Sequence, residues 1–257
     1  MCMQTKMISC YPTPNKAKSF MLCDAFAKGC GGAVVDPRAA TPSDAFFYGV
    51  VPATRDAFNQ TRSNGCNWYY ADNSYFDRGR QAYYRITRNA FQVSGFCAPN
   101  FSRFDALGAR IKSWRTTGSH IVVCEQSAAF MELCGYGSGW LDHVVTEIKA
   151  HTDRPVRIRR WIRDKAKLAE TLRVDLADAW AMVCHMSSAA NEALLQGVPT
   201  FVTGECAASP MSLSDLSKIE SPAMNDGREV WAAGLAANQW TVEEIKSGDA
   251  WRSLNGS

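Results

Sequence analysis

The segment Ala179–Val202, AWAMVCHMSSAANEALLQGVPTFV, constrains this chain more than any other stretch. It opens on a short apolar run, Ala179–Cys184, that reads as a buried strand. His185 stands at the end of that run, and two hydroxyls, Ser187 and Ser188, begin a helical spacing that Gly197 stops before the next strand, Val198–Val202. Repeated strand–helix–strand units of this length argue for a parallel sheet covered on both faces. In such sheets ligands bind beyond the carboxyl ends of the strands, where His185 lies. A helix N-terminus there exposes unpaired N–H groups that favour a phosphate, Ser187 and Ser188 can add hydroxyl donors, and Glu192, about one turn on, can accept from ribose hydroxyls. The same residues have ordinary readings: Ser187 as a helix cap and His185 as a satisfied core histidine.

The rest of the chain repeats this rhythm. Met7–Tyr11 is a short extended run, and 16–28 has helical spacing that ends at Gly29. Ala33–Asp36, Ala45–Val51 and Trp68–Ala71 are strands, with a helix over Thr54–Arg62. Tyr83–Ile86 looks extended in a less regular stretch. From His120 the pattern restarts, with a strand to Cys124, a loop holding Gly135, Gly137 and Gly139, and an amphipathic helix through Trp140, Val144 and Ile148. Val156–Arg159 alternates as a strand does, Lys165–Arg173 has helical spacing, and Thr241–Glu244 has capping-box spacing. The expectation is two Rossmann-like α/β domains facing a cleft, over 1–110 and 111–240, with a tail at 241–257 that can return to the first domain.

Length and charge limit the function. At 257 residues the chain can build two domains, and 28 Lys+Arg against 25 Asp+Glu leave a net charge of +3. That excludes a histone-like polycation and leaves room for a local basic groove. No apolar run approaches a membrane span and the start lacks a signal-peptide pattern, so a cytoplasmic protein is expected. The ten cysteines include no Cys-x-x-Cys pair, which argues against structural zinc and for reduced thiols. No Gly-x-x-x-x-Gly-Lys-Ser/Thr, His-Glu-x-x-His, Gly-x-Ser-x-Gly or Gly-x-Gly-x-x-Gly occurs, and the absence of Asp-x-Asp leaves no essential metal expected.

Ser187-Ser188-x-x-x-Glu192-Ala-Leu-x-x-Gly197-Val-Pro199 resembles the donor-site segment of GT-B glycosyltransferases. It is particularly similar to bacterial capsule-polysaccharide transferases and to phage-encoded glycosyltransferase-like proteins. The basic strand Arg154–Arg159 and the Ile121–Ser127 loop region match that family's order of elements, and the tail from Asn238 to Ile245 resembles the phage proteins. The resemblance covers about 118–205. It implies a nucleotide-sugar donor, expected to be UDP-linked, and no bound cofactor. His185, Ser187 and Ser188 would then lie near the donor phosphates and Glu192 near the ribose. Gln126, Ser127, Arg157, Arg159 and Asn191 join the donor set. The capsule enzymes tend to carry His-Pro after the basic strand, where this chain has Arg160-Trp161, so the donor nucleotide stays open.

An inverting transferase of hexosyl or pentosyl groups also needs a base for its acceptor. Asp72, at a strand end among aromatics, is the candidate, with His185 as the second catalytic residue and Asp36 as a competing strand-end carboxylate. Tyr75, Arg78 and Arg80 interleave stacking surface with cations and suit an acceptor that is a DNA base; a saccharide is the other acceptor. Arg157 and Arg159 can also be part of a solvated basic face. The alternative to an enzyme is a GT-B-like protein that holds a nucleotide or nucleic acid without turnover.

Overall fold

The computed structural model describes residues 7–76, 83–93, 98–161 and 171–256. Its strands are β1 (Ser9–Tyr11), β2 (Ala33–Val34), β3 (Ala45–Tyr48), β4 (Trp68–Asn73), β5 (Tyr84–Arg88), β6 (His120–Cys124), β7 (Val156–Arg159), β8 (Ala179–Cys184), β9 (Thr200–Val202) and β10 (Gln239–Trp240). The helices used below are α1 (Ala17–Cys30), α2 (Pro52–Ser63), α3 (Phe101–Ala106), α4 (Ala128–Leu133), α5 (Trp140–Lys149), α6 (Ala189–Leu195), α7 (Arg228–Ala237), α8 (Val242–Lys246) and α9 (Asp249–Asn255). They fall into two compact units, one of Met1–Val93 with Ala237–Ser257 and one of Ser94–Ala236. The strand–helix rhythm of the sequence puts the divisions at 110/111 and 240/241. In the structure the chain returns to the first unit at the end of α7, because β10 joins that unit's sheet.

The first unit holds a six-stranded sheet in the order β10-β5-β4-β3-β1-β2. Strands β2, β1, β3 and β4 are parallel, whereas β5 and β10 are added antiparallel. Phe26 of α1 stacks on Phe46 of β3 at 4.2 Å, and Trp251 of α9 lies 5.1 Å from Tyr69. Ile245 and Ala250 complete this core. The Thr241–Glu244 capping box forms as its spacing predicts, with Glu244 N–H donating to Thr241 Oγ1 and Thr241 N–H to Glu244 Oε2.

Gly29 does not stop α1. The helix runs to Cys30 and is capped by Gly31 at φ 71°, a left-handed conformation that glycine adopts without strain. Gly29 instead sits where a Cβ would collide with the backbone carbonyl of Ile245, so its lack of a side chain lets α8 pack close. Asp36 follows β2 and caps a short 3₁₀ turn, accepting from Arg38 N–H and pairing with the Arg38 guanidinium. The carboxylate that competed with Asp72 is thereby occupied in a local turn.

The second unit is a four-stranded parallel sheet, β7-β6-β8-β9. Strands β6 and β8 are buried at every position, as their continuous apolar runs require in a sheet covered on both faces. Ile121, Val123, Ala181, Val183 and Phe201 pack on one face with Val144 and Ile148 of α5. Cys124 and Cys184 are buried in the sheet as thiols. No helix among the described residues is long and apolar enough to cross a membrane.

Candidate functional site

All four strands of the second sheet end on one edge. From β6 the chain moves outward to β7, and from β8 it moves the opposite way to β9, so the order reverses between β6 and β8. Loops diverging at such a reversal leave a crevice at the carboxyl ends, the usual ligand position of this architecture. The loop after β6 carries Gln126 and Ser127, and the loop after β8 carries His185, Ser187 and Ser188. Met186 N–H donates to Gln126 Oε1 at 3.1 Å and ties the two loops together.

His185 is 1% exposed. Its Nδ1 lies 2.9 Å from Thr203 Oγ1, which also accepts the indole N–H of Trp140 at 2.8 Å. The Tyr136 ring covers it, centroid to centroid 4.1 Å at 73°. Burial lowers the pKa of the imidazole below its ordinary value, so it is neutral at pH 7. Its Nε2 is buried with no hydrogen-bond partner among the described residues. Gly204, one residue past Thr203, makes room for the ring: a Cβ there would lie 2.6 Å from Cε1 and 2.8 Å from Nε2.

The other donor candidates divide sharply. Ser187 Oγ accepts from Ala189 N–H at 3.2 Å, the capping duty that is its ordinary reading, while Ser188 makes no side-chain cap. Asn191 is fully buried in α6, and neither polar atom of its amide has a hydrogen-bond partner among the described residues. Glu192 is half-buried in the first turn of the same helix. Ser127 caps α4 through Phe130 N–H. Arg159 is tied down, its Nε 3.1 Å from Asp175 Oδ2 and its Nη2 donating to Thr171 Oγ1 at 3.0 Å. Arg157, on the edge strand β7, is exposed. Arg160 pairs with Glu125 at 2.9 Å, so the loop after β6 is braced from this side too.

In the first unit the sheet order reverses between β1 and β3. Asp72, the next-to-last residue of β4, lies directly opposite Arg85 of β5, whose guanidinium is buried, and Arg85 Nη2 donates to Asp72 Oδ2 at 3.0 Å. Asn73 N–H donates to the other carboxylate oxygen at 2.7 Å. Asp72 therefore neutralises an internal cation, with both carboxylate oxygens held by hydrogen bonds. Tyr75 is fully buried beside that guanidinium, 5.4 Å from its ring centroid, and so does not present a stacking face to solvent. Arg78 and Arg80 lie outside the described residues. Beside Asp72, Tyr48 O–H donates to Asn73 Oδ1 at 3.2 Å and Lys18 Nζ approaches the same atom at 3.3 Å; burial raises the Tyr48 phenol.

Sequence reasoning missed Thr203, Gly204, Trp140 and Tyr136, and in the first unit Lys18, Tyr48 and Asn73. Thr203 was within reach of the rule that found His185, since it directly follows a strand of the same sheet. Among the described residues no group of three or more His, Cys, Asp or Glu is placed to hold a metal ion.

No protein-family model matches the chain, and no curated protein matches it. Among solved structures it is similar to the β-Kdo 2,7 transferase of KpsC from Thermosulfurimonas dismutans, at 11% identity and a TM-score of 0.48 over 97% of this chain and 99% of that one. It is also similar to the β-Kdo 2,4 transferase of KpsC from the same organism, at 9% identity and a TM-score of 0.52 over 89% of this chain and 90% of that one. That second likeness shows a shared mixed α/β fold with parallel sheets.

Proposed function

We propose that the chain is a glycosyltransferase of GT-B type, with its nucleotide-sugar donor in the second unit and its acceptor on the first. The observation that carries this reading is the placement of Gln126, His185 and Ser187 on the two loops that diverge where the second sheet's order reverses, with a buried imidazole nitrogen, His185 Nε2, that has no partner among the described residues. The fold shared with a Kdo transferase supports it. In this reading Glu192 holds the ribose, Ser188 and Arg157 meet the donor phosphates, and the leaving nucleotide departs without a metal. Asp72 deprotonates the acceptor, a saccharide or a base in DNA, and a UDP-linked sugar is the expected donor.

Calorimetry against nucleoside diphosphates, UDP-linked sugars and nucleotide-activated Kdo tests the donor half, followed by sugar release with saccharide and duplex acceptors, with and without EDTA. No binding across the panel would sink the proposal. DNA as acceptor requires a steep salt dependence, about 0.9 log units of affinity per log unit of salt for each phosphate neutralised. A gel shift with no retarded duplex at low salt removes DNA. The Asp72–Arg85 pair favours a second reading, a GT-B-like protein that binds without turnover, because the designated base is already engaged. Nucleotide binding without sugar release would select it.

A further inference from the structure

An indole N–H has no lone pair to offer, so Trp140 can only donate to Thr203 Oγ1. His185 Nδ1 is the other side-chain partner of that hydroxyl among the described residues. If Nδ1 carried the imidazole proton, Oγ1 would receive two donors and its own proton would have no acceptor among the described residues. If the hydroxyl donates instead, all three groups are satisfied in sequence: indole to hydroxyl, hydroxyl to Nδ1. The ring proton then sits on Nε2, as the partner of the first nitrogen dictates. Burial keeps the ring neutral, so this single proton defines what the imidazole can do.

The Nε2 edge faces neither solvent nor an acceptor among the described residues. It abuts Gly204, where any side chain would close the space, and the imidazole ring as a whole is covered by Tyr136, which is itself 45% exposed. Tyr136 is flanked by Gly135 (φ 80°) and Gly137, with Gly139 (φ 101°) beyond, and a Cβ at any of these three would meet nothing within 4 Å. The covering ring thus belongs to a glycine-rich loop that no neighbouring side chain wedges in place at those positions.

We infer that Thr203 and Trp140 are positioning residues that lock His185 as a neutral Nε2–H imidazole, a hydrogen-bond donor for an anionic phosphoryl oxygen, with Tyr136 as its cover. On this assignment His185 is not a base. Only the identity of the anion rests on the nucleotide-sugar reading; the tautomer does not.

Long-range ¹H–¹⁵N correlation NMR on the full chain reads the tautomer directly, with the His185 signals assigned by loss in His185→Gln. The expected result is an unprotonated Nδ1 and a protonated Nε2 at neutral pH, with pyrophosphate as probe shifting Nε2 on titration. Thr203→Val should mix the tautomers and weaken pyrophosphate binding about tenfold, the worth of one hydrogen bond, and Thr203→Ser should restore both. A wild-type spectrum with Nδ1 protonated overturns the inference without any variant. So does a Thr203→Val spectrum that matches wild type, or an Nε2 signal that ignores saturating pyrophosphate. Failure of every nucleotide to bind, with the tautomer and the pyrophosphate response intact, would sink the donor reading and uphold this assignment.

Discussion

Asp72→Asn separates a structural carboxylate from a catalytic one. The Arg85 side chain is 6% exposed and Asp72 is its sole anionic partner at hydrogen-bond distance among the described residues; the remaining protein acceptor is the Asn73 carbonyl at 3.3 Å. Removing one member of a fully buried ion pair costs about 3–5 kcal/mol. Asp72 is one-third exposed, so water reaches part of the site and the expected loss falls to about 2–3 kcal/mol, in the range of one charged hydrogen bond. For a chain of this length unfolding as one transition, that is roughly 4–12 °C in Tm. Urea denaturation followed by circular dichroism measures it, with Arg85→Met/Asp72→Asn as the companion variant. The double variant should recover much of the loss, since the stranded cation is gone. A loss under about 0.5 kcal/mol in Asp72→Asn, or a double variant no better than the single, would refute the argument that this carboxylate exists to compensate Arg85. Transfer activity lost without any stability change would return Asp72 to the role of base.

Three other outcomes follow from the geometry. Glu192→Ala should weaken donor binding by about 1.5–3 kcal/mol in calorimetry and Ser188→Ala by less, because backbone N–H groups remain; equal affinity for Glu192→Ala and wild type removes Glu192 from the site. Gly197→Ala places a side chain at φ 77° and against the Ser113 carbonyl, so denaturant unfolding should show a loss of more than about 1 kcal/mol, and an unchanged midpoint would contradict the close approach. Burial raises the Cys23 thiol to about 12 and also raises Cys184, whereas it lowers His185. The unfolded chain therefore releases its thiol protons first above about pH 8.5 and binds its histidine proton first below about pH 6.5, and stability should fall on both sides of that window. A stability profile in which Cys23→Ala and wild type run parallel above pH 9 would remove Cys23 from the alkaline limb.

Continuous apolar runs made the second sheet legible. Ile121–Cys124 and Ala179–Cys184 can be buried on both faces only inside a parallel sheet, and that one inference places His185 and Gln126 at its ligand edge. Strand β10 was not legible: two residues, Gln239 and Trp240, carry no period, and their pairing with β5 is decided by tertiary contact. The same limit hid Asp72 opposite Arg85, a matter of antiparallel register, and Thr203 beside His185, a contact between two loops of neighbouring strands. Tyr75 read as a stacking surface because an aromatic beside arginines has the same sequence signature inside a core as on a surface. What the sequence offered was which strand ends bear chemistry; which side chains meet there came from register.

The return of the chain to its first unit sets an order of events during synthesis. The second unit is contiguous and can close as soon as it emerges. The first cannot: the backbone N–H of Tyr75 waits for the Gln239 side chain, 164 residues later, and α1 waits for α8 and α9 to cover it. At about 5–20 residues per second that interval is on the order of 10–30 s, during which Phe26, Phe46 and Tyr69 lack part of their cover. Long-range closure of this kind slows folding, so the half of the protein made first is the half finished last.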